Sequence, residues 1–369
     1  MNRFVIPFIL AGLAISYLIY ASFHIISTSA PDFYVYYYAG RDFLHGINPY
    51  NDTSLYTLFT YPPVSLIFYA IWALLPLALS QGLFIVLSGI AILVLPYVVM
   101  RAFKMNTSLI LVTFATACFI YSFPTKFTLG MGQINAIAYL IIILGVHLRN
   151  KPVISSVLIS IACILKPVLV LCLLIYVIRR DWSRLALIIF LGGTALVLSY
   201  LIVGSSTFIY YFDHIIPHLA SVDGREIYYN QGLLGFISRI TADSYQRSLY
   251  STGGSVIILI ITMWNCYKRN NLSYQFSLVL TTLVIIDTLS WQHHFIFLLY
   301  PILYLVMNSR KGIGLYSIGL AYILISINIS TPFLYRVGPL SLVLSHGLCG
   351  AFIIWYTLAF GEYALKTRE

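Results

Sequence analysis

The sequence predicts an all-α integral membrane protein, a bundle of about 12 transmembrane helices. Of its 369 residues, 60% are hydrophobic and only 9% are charged, and the mean hydropathy is +0.91. A soluble domain of this length does not bury so much apolar surface. Apolar runs recur from Phe4 to Phe360 and leave no polar stretch of domain size. We therefore expect a single membrane domain over residues 1–369.

Twelve apolar segments account for the helices, by the rule of roughly 20 residues per span and its shorter or tilted variants. No small-residue cleavage site follows the first segment, so we expect it to be retained. The even number places both chain ends on the same side of the membrane. The segments lie at residues 4–27, 82–100, 107–122, 134–148, 153–165, 167–179, 185–203, 254–267, 273–290, 294–308, 313–329 and 340–361.

The charged residues agree with this topology. The net charge is +10, and most basic residues fall on the side of the chain ends, which the positive-inside rule makes cytoplasmic. We therefore expect the bilayer, and no nucleic acid, as a partner. The basic residues on that side are Arg3, Arg101, Lys104, Arg149, Lys151, Arg179, Arg180, Arg184, Lys268, Arg269, Arg310, Lys311, Lys366 and Arg368. Seven of the eleven acids lie opposite, namely Asp32, Asp42, Asp52, Asp213, Asp223, Glu226 and Asp243.

Four polar regions then lie on the outer side, at residues 28–81, 123–135, 204–253 and 290–294. The apolar run Val64–Leu79 belongs to the first of them. If this run crossed the membrane, every later segment would change sides. We expect it to lie flat at the interface or to re-enter in part.

Asp32 is the first acid after the opening helix, in a polar stretch that also holds Arg41 and Tyr61. It is either a solvated loop carboxylate or a general base at the mouth of a cavity, where partial desolvation raises its basicity. We favour the base, and we expect Arg41 and Tyr61 to contact substrate.

Two lysines are candidate ligands of a phosphate. Lys126 precedes Gln133 and Asn135 at a predicted helix start, which suits a phosphate or sugar hydroxyls, although a glycine turn with a snorkelling lysine fits equally well. Lys166 lies within an apolar run, and Pro167 is expected to break the helix there. We interpret Lys166 as a ligand of an anionic lipid phosphate, against the alternative that it snorkels to the headgroups.

Asp287, Trp291, His293 and His294 form the densest polar group inside an apolar segment. On a continuous helix, Asp287 would share one face with Trp291 and His294. One of the two histidines is then expected to reach the cavity, although a satisfied core histidine is the simpler alternative. A histidine pair without a third ligand does not indicate a metal.

Amides beside aromatic rings mark the loop at residues 204–253, where Asn230 and Gln231 follow Tyr229. Such residues suit carbohydrate, and a solvated loop is the alternative. The five cysteines are scattered within apolar runs and indicate neither a disulfide framework nor a zinc site. We predict no cofactor.

Together these motifs resemble glycosyltransferase family 87, the polyprenol-phosphate-mannose-dependent mannosyltransferases of the GT-C superfamily. The resemblance covers most of the chain up to about residue 310. The motifs that carry it are Asp32, Tyr36-Tyr37, Gly46-Ile47-Asn48-Pro49-Tyr50, Tyr61-Pro62-Pro63, Gly132-Gln133-Ile134-Asn135, Lys166-Pro167, Asn230-Gln231 and Trp291-Gln292-His293-His294.

The resemblance implies a GT-C fold with interfacial helices in the first outer loop, a lipid-phosphate sugar donor and an extracytoplasmic active site. Asp32 occupies the place of the essential acid of that loop, and His293 or His294 that of the family's histidine. Two departures stand out: the family's Asn-Gln-Ser is Asn230-Gln231-Gly232 here, and the paired-acid metal motif is not evident, so we predict no required cation. We also expect no C-terminal acceptor-recognition module.

The expected reaction is an inverting single displacement that moves a sugar, most simply mannose, from a polyprenyl phosphate to a glycolipid or glycan acceptor. Asp32, His293 or His294 would take the acceptor proton, and Lys166 with Lys126 would stabilise the leaving phosphate. One alternative is another lipid-linked sugar, such as an arabinofuranose or a different hexose. The other is a lipid-sugar transporter or flippase, which predicts inverted repeats that the sequence does not clearly show.

Overall fold

The computed structural model describes residues 5–51, 57–309, 313–329 and 341–361. Some residues used in the topology prediction lie outside these ranges, as do the first residues of the predicted helices at 4–27 and 340–361. The charged residues concerned are Arg3, Asp52, Arg310, Lys311, Lys366 and Arg368.

Every regular element in the described ranges is helical, which confirms the predicted all-α class. The π-helical turn Tyr211–Ile215 and the 3₁₀-helices Pro167–Leu173 and Gln292–Leu298 interrupt the α-helices. The α-helices are α1 Val5–Ser27, α2 Pro31–Leu44, α3 Pro63–Ala73, α4 Leu77–Ala102, α5 Leu109–Tyr121, α6 Phe123–Met131, α7 Asn135–His147, α8 Pro152–Leu165, α9 Leu174–Ile178, α10 Trp182–Val203, α11 Ser205–Tyr210, α12 Ile216–Ala220, α13 Leu233–Ile240, α14 Ser244–Lys268, α15 Leu272–Ile286, α16 Leu299–Asn308, α17 Ile313–Ser326, α18 Ser341–Leu344 and α19 His346–Phe360.

Four helices of the described chain are long and apolar enough to cross a membrane. They are α1, over Phe8–Ser27, together with α4, α10 and α14. A fifth candidate is the pair α5 and α6, which is bent by 61° at the break between the two helices. The other apolar helices have 10–17 residues. Each of the twelve predicted segments contains helix, whereas twelve spans remain a prediction.

Several stretches predicted as loops are helical. Residues 31–44 form α2, residues 123–131 form α6, and α11 to α13 lie within residues 204–253. The run Val64–Leu79 holds α3, whose 11 residues span about 16 Å at 1.5 Å per residue, too short for a bilayer core of about 30 Å. The segment predicted as one helix over 273–290 ends at Ile286, so Asp287 to Trp291 are not helical.

The chain forms two compact units, and a single domain over 1–369 remains a prediction. The first comprises residues 1–120, 125–169 and 183–221. An aromatic cluster fills its core where α2 lies against α3: the rings of Tyr36 and Tyr69 stack 4.5 Å apart, and Phe33 contacts Phe84 at 4.9 Å. These rings surround the first turn of α2 and exclude water from it.

The second unit comprises residues 121–124, 170–182 and 222–369. Its centre is α15, whose residues from Tyr274 to Ile285 are buried. Side-chain hydrogen bonds join α15 to α14, and α14 to α19. The hydroxyls of Thr262 and Thr282 are 2.7 Å apart, and the Trp355 indole donates to the Thr262 hydroxyl at 3.0 Å. This rigid helix ends at the turn that carries Asp287.

Candidate functional site

Asp32 lies in the first turn of α2, in the first unit. Pro31 begins this helix, at a position where a missing N–H costs nothing, and a carboxylate in the first turn interacts favourably with the helix dipole. The side chain is buried, with 7% of the residue exposed. The prediction placed Asp32 on a loop, whereas the structure places it on a helix, and its position at the mouth of a cavity remains a prediction.

An amide and two phenols hold the Asp32 carboxylate. The Gln133 side-chain amide donates to Asp32 Oδ2. Its oxygen accepts from the Tyr36 hydroxyl at 2.8 Å and from the Tyr61 hydroxyl at 3.4 Å. The two hydroxyls are themselves 2.8 Å apart. Because both phenols donate toward the amide oxygen, the amide nitrogen is directed at Asp32.

Lys166 completes this group, and its predicted role as a phosphate ligand remains a prediction. The helix α8 ends at Leu165 and the 3₁₀-helix begins at Pro167, so the side chain of Lys166 leaves the chain at a break. Its Nζ lies 3.4 Å from the Tyr61 hydroxyl and 5.6 Å from the centre of that ring. The lysine is buried and acts on Asp32 electrostatically.

The balance of these forces makes Asp32 a base suited to neutral pH. Burial raises the pKa of its carboxyl to about 7, against the hydrogen bond from Gln133 and the positive charge of Lys166, which both lower it. Burial also raises the pKa of the Tyr61 hydroxyl, so this group stays protonated and remains a donor. A carboxylate whose pKa lies near the working pH is an efficient proton acceptor.

Gly132 brings Gln133 to Asp32. Its φ of +69° is a left-handed conformation that other residues rarely adopt. A Cβ at this position would lie 2.8 Å from the Cβ atoms of both Ala30 and Phe33. The end of α6 can therefore pack directly on the start of α2, and Gln133 follows at once.

The structure places the other predicted residues of the first unit elsewhere. Arg41 lies nine residues along α2 from Asp32, about 13 Å at 1.5 Å per residue. Its guanidinium lies 3.7 Å from the Asp42 carboxylate and 4.4 Å from the centre of the Tyr38 ring. Asn135 is fully buried at the start of α7. Lys126 lines a different cavity, together with Tyr17 of α1.

A second polar centre lies in the second unit, at the turn after α15. His294 Nδ1 is 3.1 Å from Asp287 Oδ2. The ring of His293 is parallel to that of Trp291, with centres 6.2 Å apart. Asp287, Trp291 and His294 were predicted to share one face of a continuous helix; Asp287 and His294 do lie together, but a turn and a 3₁₀-helix join them. Both histidines are buried.

Asn230 and Gln231 fasten a neighbouring loop to this turn. The backbone N–H of Gln231 donates to the backbone carbonyl of Ser290 at 2.8 Å, and the backbone N–H of Gln292 donates to the backbone carbonyl of Tyr229 at 2.9 Å. These bonds form an isolated antiparallel bridge between Asn230 and Trp291.

The side-chain amides of both residues are also engaged by the protein. Asn230 donates to the carbonyl of Thr288 at 3.1 Å. Gln231 donates to the carbonyls of Tyr228 and Leu344, both at 2.6 Å, and its oxygen accepts from the N–H of Gly347 at 3.0 Å. The geometry supports a role in positioning the turn, and contact with sugar remains a prediction.

Gly232 explains the missing serine of the Asn-Gln-Ser pattern. A Cβ at residue 232 would lie 2.7 Å from the carbonyl oxygen of Asp287 and 2.8 Å from the Cβ of Ser290. The two backbones approach too closely for any side chain between them. The glycine therefore allows the loop at 230 to pack on the turn that carries Asp287.

Sequence reasoning missed two buried arginines of this region. Arg239 donates to the carbonyl of Asn230 at 2.9 Å and to the Ser345 hydroxyl at 2.8 Å. Burial lowers the pKa of Arg239 to about 10, so it stays charged at neutral pH. Arg225 is attracted to Asp287, and burial lowers its pKa. An arginine on an otherwise apolar helix such as α13 was the available signal.

The two centres differ in what they can do chemically. The first presents a near-neutral carboxylate beside a lysine, a combination that can accept a proton and stabilise an anion. The second presents an imidazole oriented by a carboxylate. Within the described residues, no three His, Cys, Asp or Glu side chains form a group that could hold a metal ion.

Comparison with known proteins gives a consistent result. Residues 59–290 match glycosyltransferase family 87. The chain is 21% identical over 386 residues to a polyprenol-phosphate-mannose-dependent alpha-(1-2)-phosphatidylinositol mannoside mannosyltransferase of Mycobacterium tuberculosis, covering 95% of this chain and 88% of the relative. It is 23% identical over 308 residues to the protein of the same description from Mycolicibacterium smegmatis, covering 74% and 68%. No solved structure matches.

Proposed function

Because the chain belongs to glycosyltransferase family 87 and is therefore a glycosyltransferase, we propose that it moves mannose from a polyprenyl phosphate to a hydroxyl of a lipid or glycan acceptor. The relatives named for this donor support the choice of mannose and of the carrier. The buried carboxylate of Asp32, with a pKa of about 7 and Lys166 close by, is the observation that carries the proposal.

The setting that we propose is a GT-C-like bundle with about 12 spans, both chain ends in the cytoplasm and the active site on the extracytoplasmic face. The distribution of basic residues supports this orientation. Several apolar helices, such as α7 and α15, are shorter than a single straight span. In this arrangement each short helix crosses where the membrane is locally thin, or forms one span together with the helix that follows it.

The donor phosphate binds beside Lys166 in this proposal. The sugar's anomeric carbon is bonded directly to the phosphate oxygen, so the reacting carbon lies next to the lysine and near Asp32. As the C–O bond to the phosphate breaks, negative charge grows on the phosphate, and Lys166 stabilises it in a site with little water. The Tyr61 hydroxyl, 3.4 Å from Lys166, holds the ammonium in place.

Asp32 is the base in this mechanism. The acceptor hydroxyl attacks the anomeric carbon from the side opposite the phosphate and gives its proton to the Asp32 carboxylate. One bond from the acceptor oxygen to carbon forms, one bond from carbon to the phosphate oxygen breaks, and the configuration inverts. Gln133 positions the carboxylate through its amide, and the Tyr36 and Tyr61 hydroxyls orient that amide.

The second unit holds the remaining candidate residues. Trp291, which is part-exposed and stacked with the buried His293, has a flat apolar ring of the kind that suits a sugar. His294, oriented by Asp287, is the alternative base. Asn230 and Gln231 act on substrate through the turn that they fasten, and Asn135 acts through the start of α7. Arg41 contacts a part of the acceptor far from the reacting carbon.

Sugar transfer in membranes tests the proposal. Membranes with equal amounts of wild type or Asp32→Asn receive radiolabelled polyprenyl-phosphate-mannose, and label in lipid and glycan fractions is measured. Asp42→Asn is the matched control, since Asp42 is also buried on α2. We expect transfer by wild type and the control, and none by Asp32→Asn.

Two other outcomes would change the proposal. Transfer from a different lipid-linked sugar, with none from mannose, would keep the mechanism and replace the donor. Absence of transfer from every lipid-linked sugar, with equal uptake of such lipids into vesicles by wild type and Asp32→Asn, would support a transporter.

A further inference from the structure

The polar groups beside Asp32 form one directed chain of hydrogen bonds. The chain begins at the ammonium of Lys166, which can only donate, and reaches the side-chain oxygen of Gln133, which can only accept. Lys166 Nζ lies 3.4 Å from the Tyr61 hydroxyl. That hydroxyl lies 2.8 Å from the one of Tyr36, which donates to Gln133 at 2.8 Å. Both phenolic protons therefore point away from the lysine, and both are used within the chain.

Tyr69 belongs to the same cluster of rings but takes no part in this chain. Its ring stacks on that of Tyr36, 4.5 Å away and 21° from parallel, and lies 5.7 Å from the Tyr61 ring. The residue is fully buried. Among the residues that the structure describes, none forms a hydrogen bond with the Tyr69 hydroxyl. Buried polar groups are nearly always paired, so this hydroxyl requires an explanation.

Packing alone does not account for the hydroxyl of Tyr69. Phenylalanines fill other positions of this cluster: Phe33 contacts Phe84 at 4.9 Å, and Phe59 contacts Tyr69 at 5.6 Å. A phenylalanine at residue 69 would supply the same ring without an unpaired polar atom. Burying a hydroxyl without a partner lowers stability. We therefore expect the hydroxyl to gain its partner in a state other than the substrate-free protein.

The position and the protonation of Tyr69 are both fixed by its surroundings. A Cβ at Gly40 would lie 2.5 Å from the Tyr69 carbonyl oxygen, so the glycine lets α3 pack directly on α2. Burial, the Tyr61 hydroxyl and the negative charge of Asp32 raise the pKa of the Tyr69 hydroxyl well above its usual value. The group therefore stays protonated and is an uncharged hydrogen-bond donor within range of the Asp32 charge.

We propose that the Tyr69 hydroxyl donates a hydrogen bond to one hydroxyl of the transferred sugar and thereby selects the sugar. This role rests on the proposed transfer, which places the reacting carbon beside Asp32 and the sugar ring next to this cluster. Aromatic rings around a single donor suit a sugar, because the rings pack on its C–H groups and the donor binds an oxygen. The phosphate binds the charged Lys166 more strongly than a neutral phenol.

The sugar reaches Tyr69 through the segment at residues 57–62. Phe59 and Tyr61 of this segment contact the Tyr69 ring, at 5.6 and 5.7 Å. The segment has no regular secondary structure, so a shift of Phe59 breaks no helical hydrogen bonds. Tyr61 is part-exposed and Phe59 is buried. In this proposal the bound sugar displaces Phe59 and takes up the contact with the hydroxyl.

Thermal unfolding of the substrate-free protein in detergent tests whether the hydroxyl is unpaired. Tyr69→Phe should raise the unfolding midpoint by about 2 °C, because it removes a buried hydroxyl that has no partner. Tyr300→Phe is the matched control, since Tyr300 is also fully buried but donates to the carbonyl of Ser273 at 2.9 Å. The control should lower the midpoint. A midpoint that falls as far in Tyr69→Phe would show that the hydroxyl is paired without substrate, and would overturn the proposal.

Deoxy donors identify the contact with the sugar. Each is a polyprenyl-phosphate-mannose that lacks one sugar hydroxyl, and kcat/KM for transfer is measured with each. Wild type should use one of them about 10²-fold less well than the mannose donor, because Tyr69 would be left unpaired. Tyr69→Phe should lose a similar factor with mannose and use that deoxy donor equally well. Tyr300→Phe should discriminate as wild type does. Discrimination that is the same in Tyr69→Phe as in wild type would overturn the proposal.

A polyprenyl phosphate without sugar separates the sugar from the phosphate as the partner of Tyr69. It should inhibit wild type and Tyr69→Phe equally. Weaker inhibition of Tyr69→Phe would assign the hydroxyl to the phosphate and overturn its role in sugar selection. Failure of wild type to transfer any lipid-linked sugar would overturn the proposed function, and the role of Tyr69 with it. Intact transfer with unchanged discrimination in Tyr69→Phe would overturn the role of Tyr69 alone.

Discussion

Two carboxylates, one in each compact unit, are held in different ways. Asp32 lies in the first turn of a regular helix, where an uncharged amide binds it and Lys166 acts at longer range, and burial is the largest influence on its pKa. Asp287 lies on a turn, with an imidazole 3.1 Å away and the charge of Arg225 within range. Desolvation makes the first carboxylate basic, whereas paired charge fixes the second as a partner for His294.

The groups that position the two carboxylates differ as well. Side chains support Asp32, through Gln133 and the tyrosines that orient it. The turn of Asp287 is supported by backbone bonds from residues 229–231 and by the close approach at Gly232. We infer that substitutions near Asp32 act on chemistry, and that substitutions near Asp287 act on stability first.

The largest expected effect is that of Asp32→Asn on transfer. Removing the base should lower kcat about 10³-fold, within the usual range for general base catalysis. His294→Gln should lower it by no more than about tenfold, because in this mechanism Asp32 and not His294 accepts the proton. Mannosyl transfer at equal expression measures both. If His294→Gln costs more than Asp32→Asn, the base lies in the second unit.

Gly232→Ala should have the next largest effect, on stability. The added Cβ would meet the Asp287 carbonyl at 2.7 Å and the Ser290 Cβ at 2.8 Å. Overpacking of this kind lowers the free energy of unfolding by about 3 kcal/mol. The thermal unfolding midpoint in detergent measures the loss. Gly193→Ala on α10 is the control, because its Cβ would meet no atom within 4 Å. An unchanged midpoint in Gly232→Ala would contradict the close approach.

Gln231→Ala distinguishes a positioning role from direct contact with sugar. The change removes bonds to Tyr228, Leu344 and Gly347 and should lower the free energy of unfolding by about 2 kcal/mol. KM for the donor and for the acceptor should stay within about twofold, since no substrate contact is lost. Gln246→Ala, at an exposed site, serves as control. A raised KM without loss of stability would restore the predicted sugar contact.

The smallest expected effect is a shift in the pH dependence of the transfer rate. The protonated carboxyl cannot accept a proton, so the rate should fall as pH decreases through the Asp32 pKa of about 7. The charge of Lys166 lowers this pKa, so Lys166→Gln should move the acid limb to higher pH, by less than about one unit. Asp287→Asn should leave the limb in place. A limb that moves with Asp287→Asn and not with Lys166→Gln would assign the titration to the second unit.

Much of the fold was accessible from the sequence because apolar length is a strong signal. The runs that became α1, α4 and α10 were found for that reason, and so was the break at Lys166-Pro167. The helix α2 was missed, because its tyrosines and charges resemble a polar loop. Pro31 at its start and Asp32 in its first turn were the signals of a helix, and they place Tyr36 one turn from Asp32.

Candidate site residues could be singled out from the sequence where a charged or polar residue lies in an apolar stretch or follows one directly. Asp32, Lys166, Asp287 and His294 belong to this class, and their roles remain predictions. The contacts of Gln231 and Arg239 could not be predicted from the sequence. The residue type alone does not reveal whether a buried amide or guanidinium binds a sugar or a backbone carbonyl. Only the contacts of Gln231 with Leu344 and Gly347, more than a hundred residues away, decide between these roles.

The close approach at Gly232 also limits how this sequence can diverge. Elsewhere a glycine can return to serine in one mutational step at little cost. Here the serine would have to fit between the Asp287 carbonyl and Ser290, so the reverse change is harmful unless residue 290 or the turn has already changed. A serine at residue 232 is therefore expected to be tolerated only together with a change at residue 290 or in the turn.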